Sequence, residues 1–323
     1  MAFIIPGNAP DASRKSACYD SIHMQRVFVT GGTGFVGKHV VRALLARGFL
    51  VRCLVRPGSE GELRGFESID RVPGDVLHPE GLVASVEGCS AIAHLVGIIR
   101  ERRSRGITFE RLHVQATLNM IGVANEAGVS RYLHMSALGT RPHAHSRYHQ
   151  TKWLAEEAVR RSATSWTIFR PSIIFGSGDE FISVLARLVR RIPVVPVLGD
   201  GTYRLQPVAV EQVAEGFVRA LLSGTTAGQT YEVAGPRPYR FVEILDQIGA
   251  ALGRARVRKL HVPLGAMRLA TRLLEWLPFF PVSTDQLTML EEESVADPTR
   301  FYADLGMAPE PFETGLRRLV AVS

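Results

Sequence analysis

Tyr148 and Lys152 stand four residues apart in a stretch reading SRYHQTK, a spacing that puts a phenol and an ammonium on one face of a helix. A lysine charge beside a phenol favours the phenolate and lowers the tyrosine pKa, which suits a general acid or base at a carbonyl or hydroxyl carbon. YxxxK is frequent by chance, so its weight depends on where it lies. A second group of residues supplies that place: Gly31, Gly32, Thr33, Gly34 and Gly37 satisfy both GxxGxxG and GxGxxG spacing. Glycines so spaced allow a tight turn, close approach of backbone to a pyrophosphate, and close packing of a helix on a strand. A ligand-free glycine turn is the alternative, and the flanking elements weigh against it.

Those elements are legible on either side. Val27, Phe28 and Val29 form a short apolar, β-branched run before the glycines, and a helical pattern through Val40, Leu44 and Leu45 follows, closed by Gly48. The helix would turn its free N–H groups and positive dipole end toward the phosphates. The alternation continues with strands at 51–55, 69–72, 91–95, 131–135 and 166–169, and with helices at 109–127 and 148–161. It predicts an α/β fold, a doubly wound parallel (Rossmann) sheet with a smaller mixed α/β C-terminal lobe. Beyond Pro171 the pattern loosens to helices at 210–222 and 241–252 with a strand at 230–233 between them. The expected division is a dinucleotide-binding domain over 24–175, completed by elements from 200–235, and a substrate or partner lobe over 176–323. Residues 1–23 lack periodicity and a secretory pattern, and read as a disordered extension.

Composition narrows the class. With 323 residues, 46% hydrophobic and 21% charged, the chain has the make-up of a globular protein with a substantial core. Its net charge of +7 is compatible with anionic partners of several kinds. Cys18, Cys53 and Cys89 are few, odd in number and without CxxC spacing, which argues against a disulfide framework or a zinc site and for a reduced, cytoplasmic setting. His143, His145 and His149 lack a companion carboxylate or cysteine at ligand spacing, so no metal is expected.

The end of the second strand bears on the choice of dinucleotide. An NAD site usually places a carboxylate there for the ribose 2′-hydroxyl, whereas this chain has Leu54, Val55, Arg56, Pro57. Arg56 could pair with a 2′-phosphate, so NADP(H) is the expected cofactor, with NAD(H) the alternative. Asp75 and Val76, after the third strand, sit where the adenine edge would lie.

Taken together, TGGTGFVG at 30–37, YxxxK at 148–152 and FRPSIIFG at 169–176 resemble the extended and atypical short-chain dehydrogenase/reductases. HLVG at 94–97, SRYHQTK at 146–152 and QPVAVEQVAEG at 206–216 are most similar to the branch containing the nucleotide-binding accessory subunit of respiratory complex I and its bacterial relatives. The resemblance runs from Met24 to about Leu252. It implies that Gly31, Gly34, Phe35, Val36 and Gly37 cradle the pyrophosphate, Arg56 the 2′-phosphate, and Asp75 with Val76 the adenine. Leu95, Val96 and Gly97 would flank the ribose, and Pro171, Ser172 and Ile173 the nicotinamide. Tyr148 and Lys152 would be the catalytic pair, Lys152 also holding the nicotinamide ribose, with Ser136 the third catalytic candidate.

Two departures qualify this picture. After the fifth strand the chain reads Met135, Ser136, Ala137, which leaves Ser136 in a structural position and Ala137 where a substrate-polarising hydroxyl would stand. His113 occupies a helix position that often carries Asn. The resemblance therefore supports an NADP(H)-dependent oxidoreductase or epimerase, and equally keeps open a nucleotide-binding accessory or assembly protein. A dinucleotide and a small-molecule substrate are the expected partners, without nucleic acid. Arg100, Arg102, Arg103 and Arg105 read as a solvated loop that could also draw an anion. Residues 263–282 place Arg268, Arg272 and Glu275 on one helical face and Leu264, Met267, Leu274 and Leu277 on another. The segment is too short and charged to span a bilayer. It reads either as a cover for the smaller lobe or, through Trp276, Phe279 and Phe280, as an exposed surface for a membrane or protein partner. On the second reading the protein is peripheral to the inner face of a membrane.

Overall fold

A computed structural model describes residues 25–274 and 284–322. The expected extension at 1–23, and Trp276 through Val282 of the proposed docking segment, lie outside the described residues. Strand β1 (Arg26–Thr30) leads through the glycine turn into helix α1 (Phe35–Ala46), followed by β2 (Leu50–Val55), β3 (Ile69–Pro73), α2 (Leu82–Val86) and β4 (Ala91–His94). Helix α3 (Ala116–Glu126), β5 (Arg131–Met135), α4 (Arg147–Arg161) and β6 (Ser165–Pro171) come next. These strands and β11 (Gln229–Val233) form one seven-stranded sheet in the order β11-β6-β5-β4-β1-β2-β3, parallel throughout. The doubly wound reading is met.

Parallel strands are covered on both faces, which is why β1 carries no polar alternation. Val27 and Val29 pack with Val40, Val41 and Leu44 of α1 and with Val213, Phe217 and Val218 of helix α6 (Val210–Leu222). Phe28 points the other way, into Ile92, Met120, Ala124, Tyr132 and Ile168 under α3 and α4. The order reverses between β1 and β4, and that junction opens a crevice at the strand carboxyl ends where ligands bind in such sheets.

One helix differs from its pattern. Residues 109–127 do not form a single α-helix: Glu110–Gln115 make a π-helical turn before α3 begins. The extra residue per turn leaves the apolar pattern intact, so periodicity gives no warning of it. The turn carries His113 inward, to 1% exposure.

The smaller lobe holds more structure than its loosened pattern indicates. Helix α5 (Ile182–Arg191) and α7 (Phe241–Ala251) enclose a core of Ile182, Leu185, Val189, Phe241, Ile244 and Ile248, closed by Phe312 and Leu316 of a C-terminal helix. Strand pairs β7 (Ile174–Phe175) with β10 (Val208–Ala209), β8 (Val194–Leu198) with β13 (Arg258–Val262), and β9 (Arg204–Leu205) with β12 (Tyr239–Arg240) connect it. Helix α8 (Leu264–Leu274) follows β13, and helix α9 (Thr284–Glu291) meets the start of α4, where the Arg147 amide donates to Asp285 at 3.0 Å and Met289 packs beside Tyr148.

Candidate active site

The glycine turn is built for close approach. Gly31 takes φ of +76°, a conformation a Cβ would strain, and a Cβ there would sit 2.9 Å from the Leu95 carbonyl carbon. A Cβ on Gly37 would lie 2.7 Å from Gly32 Cα and closer still to the Gly31 carbonyl oxygen, so only glycine lets α1 pack on the turn. No side chain caps α1 at Gly34, and its first turn holds no acid. The amides of Phe35, Val36 and Gly37 are therefore left for an anion at a positive helix end. This cradle fits a pyrophosphate.

Around it lie the other residues expected to meet a nucleotide. Arg56 is exposed just past the end of β2. Asp75 folds back to accept a hydrogen bond from the Leu77 amide at 2.9 Å, and Val76 is buried against Leu54 and Leu82 while its carbonyl accepts from Asn119 at 2.8 Å. Leu95, Val96 and Gly97 run beside the glycine turn from the end of β4. Ser172 is buried, its hydroxyl paired with Ser294 at 2.8 Å, between buried Pro171 and half-buried Ile173.

Helix α4 delivers the pair singled out by spacing. Ser146 caps it by accepting from the His149 amide, and Tyr148 and Lys152 both point inward, 8% and 3% exposed. Lys152 Nζ donates to the Met135 carbonyl at 3.0 Å and lies 3.0 Å from where a Gly97 Cβ would stand. The lysine is thus set under the backbone that would border a ribose. Burial drives its pKa down to about 8, partly offset by Glu156. The expected lowering of the tyrosine pKa is reversed: burial pushes Tyr148 up to about 12. Lys152 gives its hydrogen bond to a backbone carbonyl, not to the phenol, so desolvation wins. At neutral pH the phenol therefore keeps its proton.

The wall around Tyr148 is aromatic and apolar. Phe109, His113 and His149 meet its ring edge to face with centroids 5.8, 5.3 and 5.2 Å away, and Ala137, Ile98 and Met289 complete the enclosure. Ser136 is not among them. Its hydroxyl donates to Glu156 at 2.5 Å, away from Tyr148, while the Ala137 methyl packs beside the phenol. The structure therefore does not bring Ser136 to the tyrosine: β5 ends at Met135, and the next side chain on that face turns to the carboxylate of α4.

Glu156 and Glu292 carry no sequence signal of their own, whereas His94 falls in HLVG and His113 at the helix position that often carries Asn. Glu156, fully buried, binds Arg170 through both oxygens at 2.8 and 2.6 Å and Arg160 at 2.5 Å, anchoring α4 to β6 one turn beyond Lys152. His94 Nδ1 meets Thr30 Oγ1 at 2.7 Å across the β1–β4 junction, and burial holds the ring neutral with a pKa of about 3. His113 joins Thr151 at 2.9 Å to the Ile98 backbone, likewise held well below its ordinary value by burial and the Lys152 charge. Glu292, after α9, accepts from Arg141 at 2.9 Å and from the His145 amide at 3.1 Å and contacts His149 at 2.9 Å. For the two glutamates, only the YxxxK spacing could have pointed toward their neighbourhood. His143 and His145 are exposed and separate from buried His149, and the described residues hold no group of three or more metal-ligating side chains. Arg102 through Arg105 form an exposed turn in which Arg103 pairs with Glu101.

Residues 27–234 match the model of the NAD dependent epimerase/dehydratase family. The chain belongs to that family. It is an extended short-chain dehydrogenase/reductase, and the family is one that depends on a nicotinamide dinucleotide. The chain is 28% identical over 299 residues to NADH dehydrogenase [ubiquinone] 1 alpha subcomplex subunit 9, mitochondrial, of Arabidopsis thaliana, covering 87% of this chain and 73% of that one. It is 34% identical over 192 residues to ceramide reductase of Caulobacter vibrioides, covering 59% of each. In fold it resembles dTDP-glucose 4,6-dehydratase from Streptomyces venezuelae, solved with NAD and TYD bound, with a TM-score of 0.72 and 22% identity over 92% of this chain and 96% of that one. No helix among the described residues is long and apolar enough to cross a membrane.

Proposed function

We propose that this family member is an oxidoreductase that prefers NADP(H) and acts on a carbonyl or hydroxyl group, with Tyr148 as proton donor or acceptor and Lys152 as its charged neighbour. A bound nicotinamide dinucleotide would supply or accept the hydride. The observation that carries the reading is the buried Tyr148 and Lys152 pair, with Lys152 lodged under Gly97 beside the glycine cradle. In the reducing direction the Tyr148 hydroxyl gives its proton to the substrate oxygen, and the Lys152 ammonium, charged below pH of about 8, stabilises the phenolate left behind. Exposed Arg56, with no carboxylate at the end of β2, supports NADP(H) over NAD(H). Gly31, Gly34, Phe35, Val36, Gly37 and Leu95 through Gly97 would hold the pyrophosphate and ribose, Asp75 and Val76 the adenine, and Pro171 through Ile173 the nicotinamide. Ser136 supports the site by orienting α4 through Glu156.

A second reading rests on Ala137. With a methyl where a polarising hydroxyl is usual, the substrate oxygen has one donor instead of two, and an oxyanion donor is worth ~2.7 to 4 kcal/mol. Together with similarity to a complex I subunit, this favours an accessory or assembly protein stabilised by bound nucleotide. Either role is consistent with a cytoplasmic protein peripheral to the inner face of a membrane and contacting it, or a protein partner, through 263–282. Turnover of NADPH with a panel of aldehydes, quinones and nucleotide sugars separates the two. Oxidation of NADPH with one of these classes supports the enzyme, and tight binding without turnover on any of them supports the accessory role.

A further inference from the structure

The positive charge of this chain is not evenly spread. Residues 247–274 contain Arg254, Arg256, Arg258, Lys259, Arg268 and Arg272 and no Asp or Glu, so six of the net +7 charges belong to this one segment. The fold places it on the outside of the smaller lobe. Among the described residues strand β13 pairs with β8 alone, and Arg256, Arg258 and His261 line an open concavity in which Lys259 pairs with Asp246 at 2.5 Å. Helix α5, next to β8, adds Arg187, Arg190 and Arg191, also without an acid.

Apolar side chains stand exposed among these cations. Leu269 and Leu260, at 60% and 59%, are the two most exposed large hydrophobic residues of the described chain, and Leu264 and Val194 are exposed as well. Helix α8 touches the lobe through Leu264, which lies over Gly199 while remaining 38% exposed, and through Met267 and buried Thr271, and turns Arg268, Leu269 and Arg272 outward. A helix that covered the core would bury its leucines and expose its arginines. Of the described leucines of α8, Leu264 and Leu269 are exposed along with Arg268 and Arg272. Cations that meet lipid phosphates beside leucines that enter the acyl boundary are the arrangement of an interfacial surface, while an acidic protein would match the charge and leave the leucines uncovered.

We infer that β13 and α8 form a docking surface for an anionic lipid bilayer, with the arginines on headgroup phosphates and Leu260, Leu264 and Leu269 in the interface. This deepens the peripheral placement proposed above and is independent of the chemistry at Tyr148, which vesicle binding does not read. The test is flotation of the full chain with vesicles of pure phosphatidylcholine and of a phosphatidylcholine–phosphatidylglycerol mixture, at low and high salt. Binding is expected only to the anionic vesicles and should weaken with salt. Each removed basic charge near the surface should weaken binding about fivefold, so Arg256→Ala with Arg258→Ala should lose about 25-fold. Leu260→Asp should weaken binding even at low salt, whereas Arg161→Ala, on the far helix α4, should leave it unchanged. Should a variant lower the melting temperature, the salt dependence of the unmodified chain decides. Equal binding to both vesicle types, none to either, or capture by an acidic protein without vesicle binding overturns the proposal.

Discussion

The glycine cradle and the Tyr148 corner lie on the same sheet and are built in opposite ways. The cradle uses backbone: Gly31, Gly34 and Gly37 lie within seven residues, and what they offer is N–H groups and the space a Cβ would fill. The corner uses side chains gathered from afar: Gly97, His113, Met135, Ala137, Tyr148, Lys152 and, across the chain, Met289 and Glu292. A site made of local backbone can be read from spacing. One made of tertiary neighbours shows only the members that share a helix.

If the comparison is right, the cradle should break at a single methyl. Gly37→Ala drives a Cβ into Gly32 Cα and the Gly31 carbonyl, so it should abolish measurable NADPH binding and destabilise the fold by ~1 to 3 kcal/mol or more, as overpacking does. Fluorescence titration with NADPH and urea unfolding check both. Retained affinity would mean the turn is looser than its contacts indicate.

The corner should show itself through pH. His94, His113 and His134 are buried and neutral, with His94 at about 3 and the others well below their ordinary value. Their folded pKa values are depressed, so the stability they contribute is present above about pH 6.5 and lost as pH falls. The unfolded chain takes up protons that the folded chain refuses. His94 should cost ~1.4 kcal/mol per pH unit below 6.5, roughly 2 kcal/mol by pH 5, and His113 and His134 act in the same direction. Both ring nitrogens of His134 lack a hydrogen-bond partner among the described residues. His134→Leu should therefore make the acid limb shallower with little loss at pH 7.5, in urea unfolding at the two pH values.

Next in size is cofactor choice. Arg56→Ala should reduce a preference for NADPH over NADH by about tenfold to hundredfold, the worth of one charge-assisted contact, with NADH affinity unchanged. Equal affinities in the unmodified chain would leave Arg56 as a surface arginine.

What was legible follows the same division. The strand and helix alternation, the parallel sheet and the Tyr148 and Lys152 pair were readable because periodicity and spacing are local. The π-turn at Glu110–Gln115 was not, since it preserves the apolar pattern while rotating His113 inward. The tyrosine pKa ran opposite to expectation because proximity in sequence promised a charge neighbour, whereas burial and the Met135 carbonyl govern the folded site. Ser136 and Ala137 are adjacent, and which of them faces Tyr148 is set by where β5 ends. The strap from α9 to Ser294, with Glu292 on His149, has no local signature.

The smallest effect tests the departure at the corner. Ala137→Ser would restore a hydroxyl beside Tyr148 and should raise kcat about tenfold, below the full worth of an oxyanion donor because the neighbourhood is packed for a methyl. No gain would place the substrate oxygen away from Ala137.

The central claim is that the cradle binds NADPH and the corner moves a proton, and one paired measurement addresses it. For the unmodified chain and Tyr148→Phe, NADPH affinity and NADPH oxidation on the best carbonyl substrate are measured side by side. The ring contacts survive the change and the proton does not. Affinity should stay within about twofold while turnover falls by about 10² to 10⁴. Turnover that persists in Tyr148→Phe at the unmodified rate would contradict the account.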